Sequence, residues 1–177
     1  MEITAELATP VSARDHIEGL DSAALTLVEY GDYQCPYCGA AFPVVERLRK
    51  KLGKKLRFVF RNFPLTESHP YALIAAEAAE TAALQGKFWE MHDLIYEQQE
   101  SLAPEMIPVW AKQIGLDVRK FADDIRLGTA AARIQEDRRS GIRSGVNGTP
   151  AFYINGARYD DSPDYGSLLG ALEAELE

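Results

Sequence analysis

Cysteine and histidine are scarce in this chain: two and three among 177 residues. A zinc site built on the two cysteines needs two more ligands, and His16, His69 and His92 are scattered without ligand spacing, which argues against a metal centre. A single pair also rules out a framework of several disulfides. No apolar run approaches the roughly 20 residues of a bilayer-spanning helix. Cationic side chains are in deficit, 19 Lys and Arg against 27 Asp and Glu, so the formal charge is −8 and nucleic acid is not expected as a partner. The opening Met1-Glu2-Ile3-Thr4-Ala5-Glu6 is acidic and lacks the basic and apolar regions of a signal peptide. A cytoplasmic location is expected with Met1 as the natural start, and a periplasmic or other extracytoplasmic one if a leader has been removed. Internal repeats and low-complexity segments are missing as well. The length suits one domain, or one domain with an insertion, able to bury a substantial core.

The two cysteines stand three positions apart in Tyr33-Gln34-Cys35-Pro36-Tyr37-Cys38. Before them, Thr26-Leu27-Val28-Glu29-Tyr30 reads as a buried strand; after them, Phe42, Val44, Val45, Leu48 and Leu52 fall at helical spacing. The pair therefore sits where a strand ends and a helix begins. The unpaired N–H groups and partial positive charge of a helix start favour an anion, so a Cys35 thiolate should have a lowered pKa. Cys38 lies one turn on along the same face, at a separation that a disulfide accepts. Pro36 suits the first turn, where its missing N–H costs nothing. A structural disulfide closing so short a loop would remove little chain entropy. A reactive dithiol is the best reading of these residues.

Residues 1–24 have few periodic apolar positions and read as an irregular or extended arm, with His16 solvated. Strands are expected over about Leu25 to Tyr30 and from Leu56 to before Pro64, around a helix from Pro36 to Leu52 stopped by Gly53. This strand–helix–strand unit implies parallel strands and a right-handed crossover. Further helices are expected over Tyr71 to Leu84, around Phe88 to Tyr96, and over Pro104 to Ile114, Val118 to Ile125 and Thr129 to Gly141. His92 reads as a packed core histidine and His69 as a polar helix-start residue. Asn155-Gly156 between two short apolar runs marks a type I′ hairpin. A closing helix through Tyr165, Leu168, Leu169 and Leu172 is expected to take Ser162 as its cap, with Pro163 in its first turn.

Three segments in this order carry a resemblance. Glu29-Tyr30-Gly31-Asp32-Tyr33-Gln34-Cys35-Pro36-Tyr37-Cys38 is similar to the active-site segment of DsbA-like thioredoxin-fold thiol–disulfide oxidoreductases. The branch concerned includes soluble DsbA-family proteins and the thioredoxin-like domains attached to some sodium/proton antiporters. Phe60-Arg61-Asn62-Phe63-Pro64-Leu65 with His69-Pro70 resembles its post-strand stretch, and Val146 to Gly156 resembles the segment carrying the fold's cis-proline. The resemblance implies an α/β thioredoxin fold, a central mixed sheet flanked by helices. Its core would comprise residues 25–65 and 147–177, with a helical subdomain inserted over 66–146. It implies no cofactor and no metal, a Cys35/Cys38 dithiol, and Pro36, Tyr37, Thr149 and Pro150 as the substrate-binding surface. The Thr149 backbone would pair with an extended substrate strand.

Glu29 is a carboxylate within an apolar strand, costly unless neutral or paired. It matches the buried acid that the resemblance places beneath the cysteines, where it would relay protons for Cys38. The alternative is an edge-facing carboxylate paired with a lysine. Arg138, Arg139 and Arg143 read as solvated complements to a helix C-terminus, with guidance of an acidic partner as the other reading. The Pro36-Tyr37 dipeptide departs from many DsbA-like oxidases, which have a histidine in its second place. With the helix start alone, the Cys35 pKa should fall by less than one unit and the potential should be intermediate, at about −200 to −230 mV. Two functions fit: an enzyme exchanging disulfides with protein thiols or a glutathione-type small thiol, or a thioredoxin-like binding or redox-sensing module without turnover. Nothing in the sequence sets the oligomeric state.

Overall fold

The computed structural model describes residues 5–177; the start of the acidic N-terminus, residues 1–4, lies outside the described residues. Five strands form one mixed sheet in the order β1-β3-β2-β4-β5: β1 His16–Glu18, β2 Leu25–Gly31, β3 Leu56–Asn62, β4 Ala151–Ile154 and β5 Ala157–Tyr159. Only β2 and β3 run parallel, joined by helix α1, Pro36–Leu52. Helices α2 (Ala72–Ala83), α3 (Phe88–Glu97), α4 (Met106–Gln113), α5 (Val118–Leu127) and α6 (Ala131–Arg143) follow β3, and α7 (Tyr165–Ala174) closes the chain. Among the described residues, no helix is long and apolar enough to cross a membrane.

Side-chain alternation in β2 and β3 divides the interior into two layers. Leu25, Leu27, Phe58 and Phe60 join Cys38, Val45 and Leu48 of α1 and Met91 and Ile95 of α3 in the larger layer. Val28, Tyr30 and Val59 face the other way, with Phe63, Val146 and Tyr153. Glu29 has the parity of Leu27 and so enters the larger, more apolar layer.

Three local readings differ from the sequence expectation. The N-terminal arm is not merely irregular: its β1 pairs antiparallel with β3, His16 opposite Phe60. His16 is accordingly not solvated; its ring stacks on Phe88 with centroids 3.6 Å apart, and Nε2 lies 2.9 Å from Glu80 Oε1. At α7 the cap is Asp164, not Ser162: its Oδ1 accepts from Ser167 N at 3.0 Å and its Oδ2 from the Ser167 hydroxyl at 2.7 Å. The two carboxylate oxygens take one bond each, closing the first turn. The hairpin turn has positive φ at both Asn155 (48°) and Gly156 (88°), as a type I′ turn requires.

Candidate active site

Strand β2 ends at Gly31, and the chain turns through Asp32 into α1. Gly31 has no room for a side chain: a Cβ there would stand 2.4 Å from the Phe60 ring and 3.0 Å from Glu29 Oε1. Asp32, buried, organises the turn. Its Oδ1 accepts from the N–H groups of Gln34 (2.8 Å) and Cys35 (3.2 Å), and its Oδ2 from Leu65 N (2.9 Å). His69 Nδ1 lies 2.8 Å from the same Oδ2, so this histidine serves the turn and not only a helix start. Gln99, in the turn after α3, donates from Nε2 to the carbonyls of Tyr33 and Cys35, both at 2.9 Å. Asp32 and Gln99 escaped the sequence reading. The first had a local signal, since an aspartate two residues before a loop N–H favours this turn; the second had none.

Cys35 is the N-cap of α1 and Pro36 opens the first turn. Cys35 is less open than a helix start suggests, exposing only 3% of its surface, because the Thr149 carbonyl oxygen sits 3.6 Å from Sγ. It keeps this small exposed surface, whereas Cys38 has none at all. The Thr149–Pro150 peptide bond is cis. Tyr37 projects outward, 74% exposed. Thr149 and Pro150 line an open groove of about 310 Å³ with Phe152, Tyr159 and Asp161. A larger cavity of about 480 Å³, lined by Glu6, Pro10, Arg57 and Gly156, shares no residue with the dithiol site.

The two thiols occupy opposed environments. The Cys35 pKa is lowered to about 5, first because the Cys38 thiol hydrogen-bonds to its sulfur; burial acts against this, and Thr149 with the N–H groups of Cys38 and Tyr37 adds to it. That is a larger fall than the helix start alone would give, because the Cys38 thiol donates as well. Burial first, then the donation to Cys35 and the nearby Glu29 charge, push the Cys38 thiol well above its ordinary value. Glu29 is buried and its Oε1 has no hydrogen-bond partner. Burial, with the Cys35 charge second, raises its pKa to about 8. No lysine approaches it to form the salt bridge of the alternative reading. The three exposed arginines lie on α6: Arg139 donates back to the Gln135 carbonyl and Arg143 to Thr9 Oγ1. Cys35, Cys38, Glu29, Thr149 and Pro150 thus meet at one end of the sheet, and His92 is a core residue whose Nδ1 lies 2.8 Å from the Tyr33 hydroxyl.

Comparison with known proteins bears on the family and the fold. A family model described as Thioredoxin matches residues 12–174. Na(+)/H(+) antiporter NhaA 1 of Salinispora arenicola is 44% identical over 168 residues, which are 94% of this chain and 26% of the antiporter. Its counterpart in Mycobacterium sp. (strain KMS) is 41% identical over 163 residues, 91% of this chain and 27% of that protein. The chain therefore spans about a quarter of the length of these curated relatives. Among solved structures, oxidised BdbD from Bacillus subtilis superposes with a TM-score of 0.85 at 22% identity, over 98% of this chain and 97% of that one. A thioredoxin-like oxidoreductase from Silicibacter pomeroyi DSS-3 gives 0.78 at 25% identity, over 92% of each. The chain belongs to the thioredoxin family and has the DsbA-like version of its fold, with helices α2 to α6 set between the parallel strand pair and the hairpin.

Proposed function

We propose that this chain is a thiol–disulfide oxidoreductase, acting on protein disulfides or small thiols through the Cys35/Cys38 pair. The observation that carries the reading is the placement of the two thiols. Cys35 caps α1 beside the Thr149 carbonyl and Cys38 lies one turn deeper with no exposed surface, so the Cys35 pKa is lowered and the Cys38 pKa raised. In the reducing direction the Cys35 thiolate attacks a substrate disulfide. A mixed disulfide forms, and one substrate sulfur leaves as a thiolate that takes a proton from water. The Cys38 proton passes to the Glu29 carboxylate; the Cys38 thiolate then attacks Cys35 Sγ. The internal disulfide forms, the mixed disulfide breaks, and the second substrate thiolate leaves. Two electrons have moved from dithiol to substrate, and reversal oxidises a substrate dithiol. A carboxyl that titrates near 8 can both take and return that proton near neutral pH.

In this reading Pro36, Tyr37, Thr149 and Pro150 form the substrate surface. The Thr149 backbone, beside Cys35 Sγ, pairs with an extended substrate segment. Residues 25–65 and 147–177 act as the catalytic core and 66–146 as a helical subdomain that braces it.

The lowered Cys35 pKa stabilises the reduced form, so the disulfide is the better oxidant. This stabilisation is fully present above the ordinary thiol pKa of 9.0 and is lost as pH falls through about 5. It supports disulfide donation and a potential above the intermediate range, which suits an oxidising compartment better than the cytoplasm. Equilibration with glutathione buffers checks this: a value near −120 mV supports donation, and one at about −200 to −230 mV supports a cytoplasmic exchange role. The decisive experiment is insulin reduction and refolding of a reduced substrate with wild type against Cys35→Ser. Wild type should turn over and the variant should not. Activity surviving in the variant would remove Cys35 from the reaction, and no turnover in wild type would leave only a binding or sensing module.

A further inference from the structure

A second buried polar atom at this site has no place in the exchange described above. The Tyr96 hydroxyl, on α3, is shielded from solvent and has no hydrogen-bond partner. Tyr96 as a whole is only 6% exposed. A phenol at such a depth ordinarily finds a partner, because leaving it unpaired costs free energy. Its ring lies against Phe42, with centroids 5.3 Å apart and planes 22° apart. Phe42 stands one turn after Cys38 on the same face of α1. The ring also meets Tyr33 at 4.9 Å and the edge of Phe60 at 6.4 Å. Phe60 is the residue paired with Glu29 across the β2–β3 ladder. Tyr96 thus touches the neighbours of both Cys38 and Glu29, and Glu29 Oε1 is likewise unpartnered.

We infer that Tyr96 is a positioning residue of the resolving step: its hydroxyl donates to the Glu29 carboxylate whenever Glu29 must be ionised to take the Cys38 proton. Two buried, unpartnered oxygens on residues that share the neighbours Phe42 and Phe60 around Cys38 carry this. The inference rests on the exchange reading above and deepens it.

The groups facing the hydroxyl agree. The Tyr33 and His92 rings touch that of Tyr96, at 4.9 and 5.1 Å, and the charges that act on the phenol are those of Cys38, Glu29, Tyr33 and Asp32. Burial raises the Tyr96 pKa well above its ordinary value, with the Cys38 and Glu29 charges adding to it, so the phenol stays protonated and available as a donor. Tyr33 cannot take this role, because its hydroxyl is already engaged with His92 at 2.8 Å. Burial keeps His92 neutral, its pKa lowered to about 3, so no imidazolium competes for the carboxylate. A donor left free while Glu29 is protonated is available when charge develops.

The test separates the two phases of exchange by stopped flow with a disulfide-containing peptide, for wild type, Tyr96→Phe and Glu29→Gln. Tyr96→Phe should leave mixed-disulfide formation unchanged, slow its resolution about tenfold, and move the pH midpoint of resolution upward. Incorporating 3-fluorotyrosine at position 96 keeps the ring volume and strengthens the donor, so it should move the midpoint downward; this arm serves if Tyr96→Phe folds poorly. Resolution and midpoint unchanged in both variants, with Glu29→Gln still slow in resolution, would overturn the Tyr96 assignment alone. If Glu29→Gln also resolves like wild type, the relay reading itself falls. A Tyr96→Phe protein that is less stable but keeps the wild-type midpoint has lost packing, not a proton device, and overturns the assignment too.

Discussion

The interior holds two buried polar clusters, and they are built on opposite plans. In one, Arg61 makes a bidentate pair with Asp15 at 2.8 and 3.0 Å and donates to the Tyr30 hydroxyl and the Thr9 carbonyl, both at 2.9 Å. Arg133 pairs with Asp137 at 2.9 Å, and Asn62 Nδ2 bridges Asp137 to Glu80, which meets His16. Each buried charge there has a countercharge or a charge-assisted hydrogen bond, and the cluster ties the N-terminal arm to β3, α2 and α6. In the other cluster, around the dithiol, Glu29 has no countercharge and the Tyr96 hydroxyl no partner. Burial of charge is costly in both places. Where the fold depends on the charge, the cost is offset by pairing. Beside the dithiol, Glu29 and the Tyr96 hydroxyl go without such pairing, and the fold bears the cost.

Removing one member of the paired cluster should have the largest effect. Arg61→Met leaves Asp15 buried without its guanidinium and should cost about 3–5 kcal/mol of stability, read by denaturant unfolding. Cys35 alkylation, in the protein that remains folded, should hardly change. An equally large loss of thiol reactivity would show that the two clusters are not independent.

Glu29→Gln should do the reverse. The Glu29 pKa is raised from 4.5 to about 8, so its ionisation opposes folding: the stability present below pH 4.5 is progressively lost up to about pH 8. At neutral pH the neutral amide should therefore stabilise the fold by about 1–3 kcal/mol while slowing release of the mixed disulfide more than its formation. Thermal unfolding followed across pH checks the sign, since the gain should shrink on acidification. A variant less stable than wild type at pH 8 would contradict the contrast drawn here.

The thiols themselves sharpen the comparison at smaller cost. Brief iodoacetamide treatment of the reduced protein at pH 6 should label Cys35 and spare Cys38, because only Cys35, with its pKa near 5, is thiolate there. Mass mapping reads the result, and preferential labelling of Cys38 would reverse the assignment. The smallest effect expected is that of Gln99→Ala, which removes two donors from the Tyr33 and Cys35 carbonyls. About 1 kcal/mol of stability should go, with faster hydrogen exchange confined to the start of α1.

Local signals made much of this legible. Two cysteines at a strand-to-helix junction, a lone carboxylate in an apolar strand and an Asn-Gly turn each point to their structure within a few residues. The sheet's parallel pair followed from a connection of helical length. What escaped depends on partners far apart in the chain. His16 looks solvated until Glu80 and Phe88 are brought to it, and Arg61 looks like an alternating strand residue until Asp15 arrives 46 positions away. Tyr96 reads as one more aromatic on a helical stripe. Periodicity tells that such a residue is buried; it carries no information about what its hydroxyl meets. The fall in the Cys35 pKa was underestimated for the same reason, since Thr149, one of its causes, lies 114 residues away.

The N-terminal arm has one more consequence. Leu7 N donates to the Gly156 carbonyl at 2.9 Å and Arg158 N to the Ala5 carbonyl at 2.9 Å, with Glu6 bridged to Ala157. The outer side of β5 is thereby occupied by the chain's own backbone. A sheet margin already taken offers no template there for a stray strand, so association through the hairpin's rim is blocked.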